Sequence, residues 1–250
     1  MRRFTLFTDL LYILLFAAVS GWVYINFLST IRIVTLPPPI DEEIVEEFDF
    51  PEFREYSSPP PKLRPKPPEH VAALLDSVYT QFETTHTYDP AYVKLSYPGG
   101  DVAPEVGVCT DVVIRAFREQ GVDLQRAVHE DMRRHFRKYP RKWGLRKPDR
   151  NIDHRRVPNM MTFFERRGVA LPVSDNPDDY LPGDVVAWKL NESQSHVGVV
   201  MKARSRDELR PLIGHNIDSG AVLQDVLFEW EIIGHYRYFE KPVQQANNEL

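Results

Sequence analysis

GVCTDVV, residues 107–113, places the only cysteine of the chain, Cys109, where a glycine-containing loop gives way to an amphipathic run. In the segment around and after it, VVIRAFREQG, apolar residues recur on one face of a helix that Gly121 can close. Unpaired backbone N–H groups and the positive end of the helix dipole favour a thiolate at a helix start. The stretch therefore predicts a reactive thiol, and a small buried hydrophobic residue is the alternative for a lone cysteine.

The composition limits the class of protein. With 250 residues, of which 42% are hydrophobic and 27% charged, the chain can form one globular core with further segments outside it. A net charge of -5 gives no global reason to expect a nucleic-acid partner. One cysteine excludes an internal disulfide and a Cys/His zinc framework. We expect no cofactor and no metal.

The N-terminal segment is typical of a membrane anchor. Residues 10–28, LLYILLFAAVSGWVYINFL, contain no charge and nearly match the thickness of a bilayer core. Arg2 and Arg3 precede this segment and acidic residues follow it, so the N-terminus is predicted in the cytoplasm. Residues 1–36 are thus predicted to form a cytoplasmic stub and a single-pass inner-membrane signal anchor, with the rest in the periplasm of a Gram-negative cell. A cleaved signal peptide is the alternative.

A linker and a C-terminal tail flank the predicted globular domain. Residues 37–68 hold ten prolines and an acidic cluster, which favours an extended tether. The same segment could alternatively be a proline-rich ligand for a partner in the cell-wall machinery. Residues 69–242 are predicted to form the globular domain, and residues 243–250 a polar tail.

Hydrophobic periodicity predicts an α+β fold for this domain. Helices are expected from Glu69, over about 109–120 and 123–138, and over a short segment that starts near Val157 and ends at Gly168. Helices first and strands afterwards favour an antiparallel sheet of about five strands over alternating βαβ units. The predicted strands cover residues 184–190, 196–202, 210–217, 221–230 and 231–239.

The segment from Arg133 to Arg156 is strongly basic. It contains eleven lysines and arginines against only Asp149 and Asp153. A face that binds an anionic polymer and a solvated surface with local ion pairs are both compatible with this composition.

The later strands supply partners for a nucleophilic thiol, which needs a base and a group that orients the base. His196 begins one predicted strand, and Gly198 leaves room beside it on the same face. His215 and Asn216 follow on the next strand, with side chains on opposite faces, so only one of them can face the site. His235 lies on the last strand.

These residues carry a family resemblance. PGDVVAWKL, HVGVV and LIGHN, which follow a cysteine at a helix start, resemble the NlpC-type cell-wall cysteine peptidases, which are papain-like enzymes. The longer strings YDPAYVKLSYPGGDV, GVCTDVVIRA, NIDHRRVPNMMTFF and GHYRY resemble the bacterial domain of unknown function 1287, a family related to that peptidase fold, over about residues 89–239.

The resemblance implies roles for individual residues. Cys109 would be the nucleophile, His196 the general base and acid, and His215 the orienting third residue, with Asn216 as the alternative. The hydroxyl of Tyr97 and the backbone N–H of Cys109 would stabilise the oxyanion. Val108 stands where the broader family often has a carboxylate, and Thr110-Asp111 where Ser-Gly is usual.

The implied function is a membrane-anchored periplasmic cysteine amidase or endopeptidase that hydrolyses amide bonds in peptidoglycan stem peptides. An acyltransferase would use the same acyl-enzyme, and a non-catalytic wall-binding or assembly module would keep the fold without the chemistry. A zinc hydrolase that uses His196, His215 and His235 is a further alternative, but it leaves Cys109 without a role.

Overall fold

A computed structural model describes residues 67–218 and 220–238, which belong to one compact unit. The predicted membrane segment at 10–28, nearly all of the linker at 37–68 and the tail at 243–250 lie outside these residues. Within the described part of the chain, no helix has both the length and the apolar character needed to cross a bilayer.

Four α-helices confirm the predicted helical segments. They are α1 (Glu69–Thr84), α2 (Cys109–Arg118), α3 (Leu124–His135) and α4 (Val157–Arg166). Gly121 and Gly168 have φ angles of 76° and 68°, so each takes the left-handed conformation expected just after a helix. A 3-10 turn at Phe136–Lys138 ends the segment predicted over 123–138, and α3 itself is therefore shorter than expected.

The strands form one small parallel pair and one antiparallel sheet. β1 (Thr87–Tyr88) pairs in parallel with β2 (Val106–Gly107), directly before α2. The sheet has the order β3-β8-β4-β5-β6-β7, and every neighbouring pair is antiparallel. Its strands are β3 (Ala170–Leu171), β4 (Val185–Lys189), β5 (Ser195–Arg204), β6 (Pro211–Ile217), β7 (Gly220–Gln224) and β8 (Glu231–Tyr236).

The sheet confirms the predicted α+β class and antiparallel arrangement, with two differences of detail. The strand predicted over 221–230 stops at Gln224, because the chain then turns so that the carbonyl of Leu227 accepts a 2.9 Å hydrogen bond from the indole of Trp188. The sixth strand, β3, has only two residues, which is too short for an alternating pattern to reveal.

The core lies between the helices and one face of the sheet. Val185 and Ala187 on β4 pack against the helices, whereas Val186 and Trp188 face the other way, under the turn that carries Leu227. Both faces of β4 are covered, which explains why its sequence is a continuous apolar run. The first residue of α2, Cys109, belongs to the helix-side core.

Candidate active site

Cys109 occupies the start of α2, as predicted. The preceding residue, Val108, is extended, with φ -119° and ψ 177°. The carboxylate of Asp111 accepts a 2.7 Å hydrogen bond from the Val108 N–H, and the Asp111 N–H donates to the Val108 carbonyl at 3.0 Å. This reciprocal pair fixes the helix start and therefore the position of the thiol.

The thiol sulfur is buried and surrounded by hydrogen-bond donors. Only 4% of Cys109 is exposed. Burial raises the pKa of the thiol to about 12, although backbone N–H groups of Val197 and Thr110 and the hydroxyl of Tyr88 all oppose that rise. Desolvation of the charged form outweighs the helix dipole, so burial favours the thiol over the thiolate that a helix start would favour.

The first residues of β5 are not paired with β6 and contact the thiol of Cys109. Pairing of β5 with β6 starts only at Val199, opposite Gly214, so the preceding residues of β5 lie outside that ladder. There the Val197 N–H donates to the sulfur of Cys109. The cysteine at the helix start and the first residues of β5 are thus in direct contact.

A buried ion pair supports the helix start. The guanidinium of Arg155 contacts both carboxylate oxygens of Asp111, with a shortest distance of 2.9 Å, and the two side chains are 2% and 4% exposed. Arg155 also donates to the carbonyls of Ala91 and Asp89, at 3.2 and 3.3 Å. Sequence reasoning missed this pair, since it treated Thr110-Asp111 only as a departure from the family pattern.

Three side chains on consecutive strands form a hydrogen-bonded chain. His196 on β5 and His215 on β6 meet through Nε2 and Nδ1, which are 2.7 Å apart. The other ring nitrogen of His215, Nε2, lies 2.9 Å from Oε1 of Gln224 on β7. Gln224 was not predicted; it lies two residues beyond Val222, the residue that pairs with His215, and so shares the face of that histidine.

The amide of Gln224 fixes which ring nitrogens carry protons. With the amide oriented so that its carbonyl oxygen faces His215, that oxygen can only accept, so His215 is assigned the tautomer that carries its proton on Nε2 and offers the Nδ1 lone pair to His196. His196 then donates from its own Nε2. The remaining nitrogen of His196, Nδ1, is therefore an unprotonated base.

The two histidines are uncharged over the physiological range. Burial, with a contribution from His215, lowers the pKa of His196 to about 3, and burial lowers the pKa of His215 to about 4. Two indole rings enclose the pair: the ring of His196 lies 6.0 Å from that of Trp188 and 5.8 Å from that of Trp230, measured between centroids. The base is thus held in an apolar enclosure.

Cys109 and His196 line a single cleft of about 750 Å³, which is within the usual range for small-molecule and peptide-fragment sites. The same cleft is bordered by Tyr88 and Ser195, by the exposed aromatic rings of Tyr92 and Trp143, and by the charged side chains Lys142, Arg155, Arg156 and Asp218. The structure therefore places the residues that carry the thiol and the base in the lining of one cleft.

Tyr97 does not join this constellation. Its ring contacts that of His129, with centroids 5.3 Å apart, and the guanidinium of Arg150 lies 5.5 Å from its centroid. Tyr97 is outside the lining of the cleft, whereas the hydroxyl of Tyr88 contacts the thiol. Tyr88 lies on β1, whose pairing with β2 brings it beside the start of α2.

Of the two candidates for the third position, the structure brings His215 and not Asn216 to His196. Asn216 is buried, and neither its amide oxygen nor its amide nitrogen has a hydrogen-bond partner within the described residues. His235 also lies apart from the pair, with its Nε2 2.7 Å from Asp184. His196, His215 and His235 therefore do not meet at one site. The part of the chain covered by the structure also has no group of three His, Cys, Asp or Glu residues placed to hold a metal ion.

Comparisons with known proteins give one family and one relative. The model of the family described as Domain of unknown function (DUF1287) matches residues 75–238. A protein of Escherichia coli (strain K12) named Uncharacterized protein YijF is 56% identical over 169 residues, which are 68% of this chain and 82% of that protein. The matched region includes α2, the three strands of the hydrogen-bonded chain and the whole cleft lining.

Proposed function

This chain belongs to the DUF1287 family, and from the chemistry of its cleft we propose that it is a cysteine hydrolase that cleaves amide bonds in peptidoglycan stem peptides. The observation that carries the proposal is the His196–His215 contact of 2.7 Å, which leaves a base nitrogen on His196 in the cleft that also holds the thiol of Cys109. A nucleophile, a base and a group that orients the base are the parts that acyl transfer requires.

Acylation uses all three groups. The thiol proton of Cys109 moves to Nδ1 of His196 while the sulfur attacks the amide carbonyl, which forms a C–S bond and a tetrahedral oxyanion. His215 accepts a hydrogen bond from the resulting imidazolium and so stabilises its charge. His196 then returns the proton to the leaving nitrogen, the C–N bond breaks, and an acyl-enzyme and a free amine remain.

Deacylation repeats these steps with water. His196 removes a proton from water, the hydroxide attacks the thioester, and the proton goes back to the sulfur as the carboxylic acid leaves. The donors to the sulfur are the backbone N–H of Val197 on β5, the backbone N–H of Thr110 at the start of α2 and the hydroxyl of Tyr88, and we assign the oxyanion to this group. An amine in place of water would make the same intermediate an acyltransferase.

Because the resting thiol and both imidazoles are neutral, attack and proton transfer are coupled. Burial disfavours an isolated thiolate and an isolated imidazolium alike, as the pKa values of about 12 for Cys109 and about 3 for His196 express. The substrate therefore reacts with a thiol under general-base catalysis, and not with a preformed thiolate.

The wall substrate and the location belong to the same proposal. The resemblance of HVGVV and LIGHN to NlpC-type peptidases, with a papain-like fold, supports stem-peptide amides as the substrate. The uncharged segment at residues 10–28 supports an inner-membrane anchor with the catalytic domain in the periplasm.

The second candidate is a non-catalytic wall-binding module. The observation in its favour is the burial of Cys109, which is 4% exposed and protonated at neutral pH. Such a module would bind the wall through the cleft and leave the amide bonds intact.

One digestion experiment separates the two candidates. The full-length chain in detergent is incubated with purified peptidoglycan, and the released muropeptides are identified by mass spectrometry. The hydrolase predicts new stem-peptide termini that disappear with Cys109→Ala and persist with His86→Ala, which removes an exposed histidine that does not line the cleft. An unchanged muropeptide profile together with cosedimentation of protein and wall indicates the binding module.

A further inference from the structure

We propose that the cleft contains a carboxylate-binding subsite formed by Arg156 and Lys142, which selects substrate fragments with a free carboxylate. The assignment of this ligand to a stem peptide rests on the proposed function. The subsite itself rests on the charges and contacts of the cleft described below.

The cleft has an excess of positive charge. Three of its lining side chains, Lys142, Arg155 and Arg156, are cationic, and Asp218 is the acidic one. Arg155 is neutralised by its bidentate contact with Asp111. Lys142 and Arg156 therefore remain, and the carboxylates that offset them are Asp218 in the lining and Asp153, which lies 3.6 Å from Arg156.

Arg156 is held in place by the ring of Trp143 and by a long ion pair with Asp153. Its guanidinium lies 4.2 Å from the centroid of the Trp143 ring, which fixes the plane of the group. Nη1 of Arg156 lies 3.6 Å from Oδ1 of the buried Asp153, which is too long for a hydrogen bond, and neither atom has a hydrogen-bond partner in the described part of the chain. The Arg156 side chain is 18% exposed and lines the cleft, so a ligand in the cleft can reach the guanidinium.

The geometry favours a planar carboxylate. A guanidinium stacked on an aromatic ring keeps its edge free for two parallel N–H···O bonds, and a carboxylate accepts such a pair. Lys142, next to Trp143 in sequence, adds a second positive charge to the same cleft.

The end of a helix adds to this preference. α4 begins at Val157, directly after Arg156, and Val157 and Pro158 also line the cleft. The positive end of its dipole therefore faces the space in which Arg156 and Lys142 lie. The subsite gives a function to part of the basic segment 133–156, for which the sequence left an anion-binding face and a solvated surface equally open.

Binding to intact wall measures the subsite without catalysis. Full-length Cys109→Ala protein is cosedimented with purified sacculi, either native or with their carboxylates converted to amides by carbodiimide and ammonia. Replacement of one charge-assisted pair predicts a loss of about tenfold or more in affinity for native sacculi with Arg156→Gln, and a similar loss on amidation. Lys142→Gln should weaken binding less, and Arg156→Lys should restore part of it because it keeps the charge without the fork.

Arg206→Gln is the matched control, since it removes the same charge from an exposed residue outside the cleft lining. Thermal unfolding of each variant checks that the fold is intact. Equal binding to native and amidated sacculi, equal losses for Arg156→Gln and Arg206→Gln, or no binding to sacculi would each overturn the subsite. Carboxylate-dependent binding by the Cys109→Ala protein, with no hydrolysis by the wild type, would support the subsite and overturn only the proposed reaction.

Discussion

Nε2 of His215 donates to the side-chain carbonyl of Gln224 across 2.9 Å, and this contact determines which nitrogen of His196 is the base. The carbonyl acts through two imidazole rings and touches neither the thiol nor the substrate space. Gln224 is therefore a positioning residue.

Gln224→Met should lower kcat by about tenfold or more with little change in KM, because it removes the acceptor that sets the tautomers. Gln224 is exposed, so the loss should not reflect unfolding. Gln224→Glu should restore much of the rate and move the acidic limb of the kcat/KM profile to higher pH, since a carboxylate stabilises the protonated histidine pair. Wild-type rates and pH profiles in both variants would show that Gln224 has no such role.

Asp111→Asn should destabilise the domain by about 3–5 kcal/mol, because it leaves the guanidinium of Arg155 buried without its counter-charge. The denaturant midpoint and slope measure this change. Glu130→Gln is the control. Oε1 of Glu130 lies 3.0 Å from Nε of Arg126, a distance similar to that in the buried pair, but the Arg126 side chain is 60% exposed. The cost in stability should therefore be at most about 1 kcal/mol. Equal costs for the two variants would contradict the supporting role of the buried pair.

Gly198→Ala should uncouple the two histidines. A Cβ atom at this position would lie 2.6 Å from Cγ2 of Ile213 and 3.1 Å from Cβ of His215, so β6 must move away from His196. We expect a loss of about 1–3 kcal/mol in stability and a clear loss of activity.

The comparison for Gly198→Ala is Gly168→Ala, in which the new Cβ meets no atom within 4 Å and only the φ angle of 68° is unfavourable. It should lower the unfolding temperature and leave the specific activity unchanged. Full activity of Gly198→Ala would mean that contact between the two histidines is not required.

Buried neutral histidines should make the domain sensitive to acid. Burial lowers the pKa of His154 and of His196 to about 3, and that of His215 to about 4. The unfolded chain binds protons below about pH 6.5, whereas the folded state does not, so stability is present above that pH and is lost as the pH falls towards 3. Each histidine lowers the folding equilibrium constant by up to about tenfold per pH unit in this window.

Asp153 has the opposite effect on the pH dependence of folding stability. Burial raises the pKa of its carboxyl to about 6, so the folded state gains a proton before the unfolded state does, and stability rises as the pH falls through this range. The net effect of the four groups is still a loss. Urea midpoints of unfolding between pH 7 and pH 4 measure this loss. His154→Gln should make the midpoint less dependent on pH, by about the contribution of one histidine. A urea midpoint that stays constant as the pH is lowered below 6 would contradict the assignment of neutral histidines.

The sequence predicted those parts of the fold and site that depend on local pattern. Helix periodicity located α1 and α2, and the order of Cys109, His196 and His215 along the chain named three residues that the structure brings to one region. His215 and Asn216 could not be separated at that stage, because strand alternation places them on opposite faces without saying which face has the site.

The remaining features depend on contacts between distant segments. Gln224 becomes a neighbour of His215 only through the β6–β7 register, and Arg155 reaches Asp111 from 44 positions along the chain. Tyr88 and Tyr97 both precede the cysteine, and the pairing of β1 with β2 brings Tyr88 to the thiol. The high pKa of Cys109 follows from tertiary burial, which a helix start alone does not reveal.

The central claim is that Cys109 attacks and His196 is its base, and initial rates of peptidoglycan hydrolysis test it most directly. Wild-type protein, Cys109→Ala, His196→Ala and His86→Ala are compared in one assay at equal folded concentration. The account predicts losses of about a thousandfold or more for the first two variants, because nucleophile and base act as a unit, and a wild-type rate for His86→Ala. Hydrolysis by Cys109→Ala at the wild-type rate would contradict it.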